Sequence, residues 1–163
     1  MMTETIVKII GAVTLLVASV YYGQVKITAE RMRIKQLSAI MDMVKFIGEK
    51  IEHFSSPIPE ILSEYRNSYL ESIGYLEAIR THGLSKTADI IGPSPTGEEY
   101  ILIKQFSDSI GKGYKDEEVS LCKYTHHKLT ECEEKLSSAL KDKEKLYRTI
   151  PIMLALSVIL ILI

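Results

Sequence analysis

The apolar positions of the chain fall into three zones. Residues 6–22 read IVKIIGAVTLLVASVYY, with Lys8 as the only charge. Residues 150–163 read IPIMLALSVILILI and carry none. Between them, apolar residues recur at steps of three and four. Ile27, Ile34, Leu37, Met41, Val44 and Ile51 trace one stripe of an amphipathic helix that runs to about His53. Ser56 can cap a second helix with Pro57 at its first position, running through Ile61, Leu62 and Tyr65 to about Tyr69. Ile73, Leu76, Ala78 and Ile79 predict a short helix ended by Gly83, with another short one to Ile91. The sequence GPSP, 92–95, breaks the chain. Thr96 and Glu99 have capping-box spacing and open a helix through Ile103, Phe106 and Ile110, closed by Gly111 and Gly113. The last helix starts near Asp116, where Asp116, Glu117 and Glu118 suit the positive end of its dipole. Its seam follows Cys122, Leu129, Leu136 and Thr125, Cys132, Ala139, Leu146, and Glu131–Lys135 and Glu144–Arg148 are supportive pairs four apart. No segment reads as a strand. The expected fold is all-α: an antiparallel helix bundle with long first and last helices.

The two apolar ends read as membrane segments, so the expected organisation is a transmembrane helix over 5–23, a helical bundle over 24–148 and a second transmembrane helix over 149–163. In the first, Lys8 sits where a long stem can reach the headgroups, and Tyr21 and Tyr22 suit the other interface. The cations follow the apolar run, the reverse of a cleaved signal peptide. The second is short but apolar all round. Lys26, Arg31, Arg33 and Lys35 follow the first segment, and Lys135, Lys141, Lys143, Lys145 and Arg148 precede the second. The positive-inside rule then puts the middle in the cytoplasm, giving an integral protein of the cell membrane with two spans.

Composition narrows the function. The 163 residues carry 20 Lys+Arg and 21 Asp+Glu, too balanced for a nucleic-acid binder that relies on a positive field. Cys122 and Cys132 are too few for a disulfide framework. Cys122, His126, His127 and Cys132 resemble a metal set, but Cys132 is rotated roughly 120° from His126 on one helix, so they cannot converge. GKG, 111–113, lacks the phosphate-loop pattern and reads as a turn between helices. Asp42, Glu49 and Glu52 read as a solvated helix face. No catalytic motif stands out, so no enzyme activity, metal or cofactor is expected.

A short apolar segment, then ERMRIKQL, an amphipathic helix, PIPEIL, LIKQFSDSIGK and EKLYRTIPIMLALSVILILI follow one another in this order. This arrangement resembles the stage III sporulation protein AB family of endospore-forming bacteria, which is similar to the cytoplasmic domains of the type II secretion platform protein. Two differences stand out: Ser120 replaces an expected glutamine, and 68–95 shows no likeness. The resemblance implies a platform subunit of a secretion-like channel between mother cell and forespore, with the central domain on the mother-cell side. It implies as partners membrane lipid, a separate AA-type ATPase of the same operon and other subunits of the complex, with self-association open and nucleic acid excluded. A membrane-anchored scaffold outside sporulation is the competing reading.

One stretch stands apart. TAERMRIKQL, 28–37, holds Arg31, Arg33, Lys35 and Gln36, candidates for setting topology or meeting a partner, but also Glu30, which falls on the apolar seam. Lys143 is the matching exception on the last helix. In an antiparallel pair both stand at one height, so Glu30 is expected to face Lys143 or its neighbour Lys145.

Overall fold

The computed structural model describes residues 2–91 and 97–162, without the side chains of 2–9, 12, 15, 91, 148, 155, 159, 161 and 162. Every described element is an α-helix: α1 (Met2–Phe54), α2 (Ile58–Glu64), α3 (Ser68–Ser72), α4 (Tyr75–His82), α5 (Leu84–Ile91), α6 (Glu98–Ser109) and α7 (Lys115–Leu162). They form two units. One is Arg33–Leu136; the other is Met1–Met32 with Ser137–Ile163.

In the Arg33–Leu136 unit the predicted stripe of α1 is the spine of the core. Leu37, Met41, Val44 and Ile51 are buried on it, joined by Ile40, Met43 and Ile47. Around them close Ile61, Leu70, Tyr75, Ile103, Phe106 and Leu129, all with almost no accessible surface. Fully burying an aliphatic side chain of this size stabilises by about 1.5–3 kcal/mol. Here α1 and α7 run antiparallel. Gly48 lies opposite Cys122, where an added Cβ would come within 3.0 Å of the Cys122 Cβ, and Lys123 Nζ bonds Glu52 Oε1 at 3.0 Å.

Local chemistry explains where the short helices stop. The expected helix from Pro57 to Tyr69 is in fact two. Pro57 is the extended cap residue, one position later than expected. Arg66 Nη1 donates to the carbonyls of Ser63, at 2.5 Å, and Tyr65, at 2.9 Å, closing α2. The Asn67 side chain then accepts from the N–H groups of Tyr69 and Leu70, which starts α3 as a fresh N-cap. Gly83, with φ of 81°, ends α4 as expected, in a conformation that a Cβ disfavours. The acidic start of α7 does more than meet a dipole. Glu118, nearly buried, accepts from the N–H groups of Gly111 at 2.9 Å and Gly113 at 2.6 Å, and Glu117 accepts from Tyr114 N at 3.2 Å. The GKG turn is therefore folded around a carboxylate from its own chain.

The seam of α7 departs from the expected heptad. Cys122, Thr125, Leu129 and Cys132 are buried as anticipated, but Ala139 is exposed and Leu140 is buried in its place. A straight helix drifts about 20° per heptad, which moves the inward position forward by one residue.

Among the described residues no helix is long and apolar enough to cross a membrane. The transmembrane helices expected over 5–23 and 149–163 are thus not supported. Side chains at 5–9, 12 and 15 of the first, and at 155, 159 and 161–163 of the second, lie outside the described residues.

Tyr75 is buried, and its hydroxyl has no hydrogen-bond partner among the described residues. Burial pushes its ionisation well above the usual phenol range. Removing an unpaired buried hydroxyl relieves a desolvation cost, so Tyr75→Phe should leave stability unchanged or raise it by about 1 kcal/mol in urea unfolding followed by circular dichroism.

Candidate functional site

The charge cluster of α1 lies beside close approaches between helices. In the Met1–Met32, Ser137–Ile163 unit, α1 and α7 pair antiparallel. Gly23 is buried against α7, and a Cβ on it would lie 2.6 Å from the Tyr147 carbonyl oxygen. That oxygen has been released by sequence: Pro151, four residues on within α7, has no N–H to give it. One Gly23 Cα hydrogen points where the Cβ would be, toward this oxygen, in the manner of a weak Cα–H···O contact.

Two ion pairs follow on the polar side. Glu30 Oε1 is 3.7 Å from Lys143 Nζ, and both groups keep substantial water contact. Arg31 donates from Nε at 3.0 Å and from Nη2 at 2.5 Å to Glu144 Oε1. Lys145, the other candidate for Glu30, is exposed. Glu144 faces α1, and its sequence-expected partner Arg148 lies outside the described side chains.

The remaining cluster residues belong to the Arg33–Leu136 unit, and each is engaged differently. Arg33 Nε donates to Glu99 Oε1 at 2.7 Å, and Arg33 Nη2 contacts the same oxygen. The Glu99 side chain is 3% exposed and that of Arg33 25%, so this is the most buried ion pair described. Lys35 Nζ stands 4.7 Å above the Tyr69 ring, a cation–π contact. Gln36 is half-buried. Spacing assigned Glu99 to a capping box with Thr96, which lies outside the described residues. The structure shows its carboxylate on Arg33 and folded over Gly97, where any Cβ would collide with it. The two residues are 66 apart in sequence, and no local signal pairs them.

Cys122 and Lys104 are each held in the protonated form. Cys122 and His126 line a cavity of about 300 Å³ with Glu49 and Glu52. Burial first, and then the Glu118 charge, push the Cys122 thiol up to about 12, so it is no thiolate at neutral pH. Among the described residues no three of His, Cys, Asp and Glu converge to hold a metal ion. Lys104 Nζ is 3.0 Å from Ser85 Oγ, a spacing compatible with a Ser–Lys nucleophile. Lys104 is also bonded to Asp89 at 2.7 Å and lies 3.8 Å from Asp108, and the Asp89 bond raises its proton affinity. It stays an ammonium and cannot take the Ser85 proton. The cluster instead clamps α5 to α6.

The structure thus defines an all-α protein built on antiparallel first and last helices. Residues 93–163 match the family model described as stage III sporulation protein AB. No curated protein and no solved structure matches the chain.

Breaking a buried pair strands a charge. Arg33→Ala should destabilise the full chain by about 3–5 kcal/mol, while Arg33→Met combined with Glu99→Met should recover most of the loss in equilibrium unfolding.

Proposed function

We propose that the protein is a membrane-anchored assembly subunit of the stage III sporulation complex between mother cell and forespore. It holds its helical domain in the mother-cell cytoplasm and works with a separate ATPase, which supplies the energy. The observation that carries this reading is the family match over 93–163. The protonated thiol and the engaged Lys104 fit a structural role.

Membrane attachment is supported by the surfaces of the two arms. Val13, Val17 and Val20 on α1 and Met153, Leu154, Leu156 and Leu160 on α7 are exposed. So large a run of exposed apolar surface is costly in water and favourable in lipid. The cations at 26–35 and 135–148 favour the cytoplasmic face.

In this reading Glu30–Lys143 and Arg31–Glu144 fix the register of the two arms. Ion pairs this exposed add at most about 1 kcal/mol, so their use lies in choosing one alignment over its neighbours. Glu30→Lys should lower the thermal midpoint of the detergent-purified protein slightly, and adding Lys143→Glu should restore it. A double variant weaker than the single one would remove the register role.

For the function itself, deletion of the gene in its spore-forming host should arrest development after engulfment. The intact chain should restore spores and pull down an ATPase from detergent extract. Normal spore counts in the deletion strain would defeat the proposal.

A further inference from the structure

We infer that the crevice between the two arms of the Met1–Met32, Ser137–Ile163 unit binds one anionic phospholipid. Its phosphate sits at Arg31 and an acyl chain lies along Val20 and Ile152. This rests on the membrane reading above.

The crevice encloses about 540 Å³, within the range of small-molecule sites. Gly23 and Tyr147 contribute to its wall, so the main-chain contact between the arms lies beside it. Its lining changes character along α1. Arg31 lines it toward one end, Thr28, Ile27 and Gln24 lie between, and Val20 lines it toward the other, with Ile152 supplied by α7. Val20 and Arg31 are separated by about 16 Å of helical rise. A groove with a cation at one end and apolar side chains at the other over that length has the polarity of a phospholipid. A free phosphate would use only the Arg31 end and leave the rest empty.

Charge selects the headgroup. The segments 24–31 and 141–148 carry six Lys and Arg against three Asp and Glu. Arg31 meets Glu144 through Nε and Nη2, so Nη1 is outside that pair. A phosphate can therefore be bound by Arg31 alongside Glu144, in competition with it for the guanidinium charge. Basic pockets between apolar helices favour anionic over zwitterionic headgroups for this reason.

Full-length protein is purified in detergent and offered phosphatidylglycerol or phosphatidylcholine, with retained lipid read by native mass spectrometry. Flotation with pure phosphatidylcholine vesicles is measured alongside. Wild type should retain phosphatidylglycerol over phosphatidylcholine. Arg31→Gln should lower that retention about five-fold, the effect of one interfacial cation. Glu144→Gln releases the guanidinium and should raise it. Lys112→Gln, in the turn before α7, should change nothing. Opposite signs for Arg31→Gln and Glu144→Gln separate a lipid site from a merely structural pair, whose two variants would behave alike. Equal retention of the two lipids, variants of the same sign, or full displacement by inorganic phosphate would each overturn the site. Flotation without selectivity would remove the lipid site alone; failure to float would remove it together with the membrane reading.

Discussion

The structure depends on how closely α1 and α7 approach each other, and glycine permits it in both units. At Gly23 the obstacle is a carbonyl oxygen 2.6 Å from where a Cβ would stand; at Gly48 it is the Cβ of Cys122 at 3.0 Å. On α1 the two glycines are 25 residues apart, and on α7 Cys122 and Tyr147 are also 25 apart. Each unit therefore pairs its helices at the same offset. A larger residue at either glycine would push the local pair apart, and the charge contacts beside it depend on that spacing: Glu52 with Lys123 near Gly48, Arg31 with Glu144 on the polar side of Gly23.

Around this pairing the short helices serve mainly to enclose the apolar stripe of α1. They are held by directional contacts that use few residues: Asn67 at the start of α3, Arg66 at the end of α2, Glu118 within the glycine turn, and Lys104 between α5 and α6. Carboxylates recur in these roles. Glu99, Glu117 and Glu118 each bond a specific donor, so acidic residues that read as a capping-box partner (Glu99) or as helix-dipole partners (Glu117 and Glu118) act here as structural ligands.

Periodicity made the larger pattern legible. The inward stripe of α1, the breaks near Pro57, Gly83 and Gly111 and the start of α7 all follow from residue spacing and turn chemistry, which act locally. Three features did not. The break between α2 and α3 rests on side-chain bonds of Arg66 and Asn67 to nearby backbone, and neither residue type by itself marks a helix end. The drift from Ala139 to Leu140 accumulates only over several turns. The Arg33–Glu99 pair joins residues 66 apart, and nothing in either neighbourhood names its partner. Arg31, Arg33 and Lys35 looked alike in sequence because charge is all a sequence displays. Their environments are a carboxylate at the surface, a buried carboxylate and an aromatic face.

The contact between Gly23 and Tyr147 is made by main-chain atoms on both sides. Pro151 leaves the carbonyl without its helical donor, and Gly23 brings no side chain to intervene. Position 147 can therefore exchange its side chain and keep the contact, because the atom involved is common to every amino acid. Position 23 has no such latitude. Mutational tolerance at this junction is lopsided: a permissive site on one helix faces an intolerant one on the other, and a scan of all substitutions would see the two partners of a single contact as opposites.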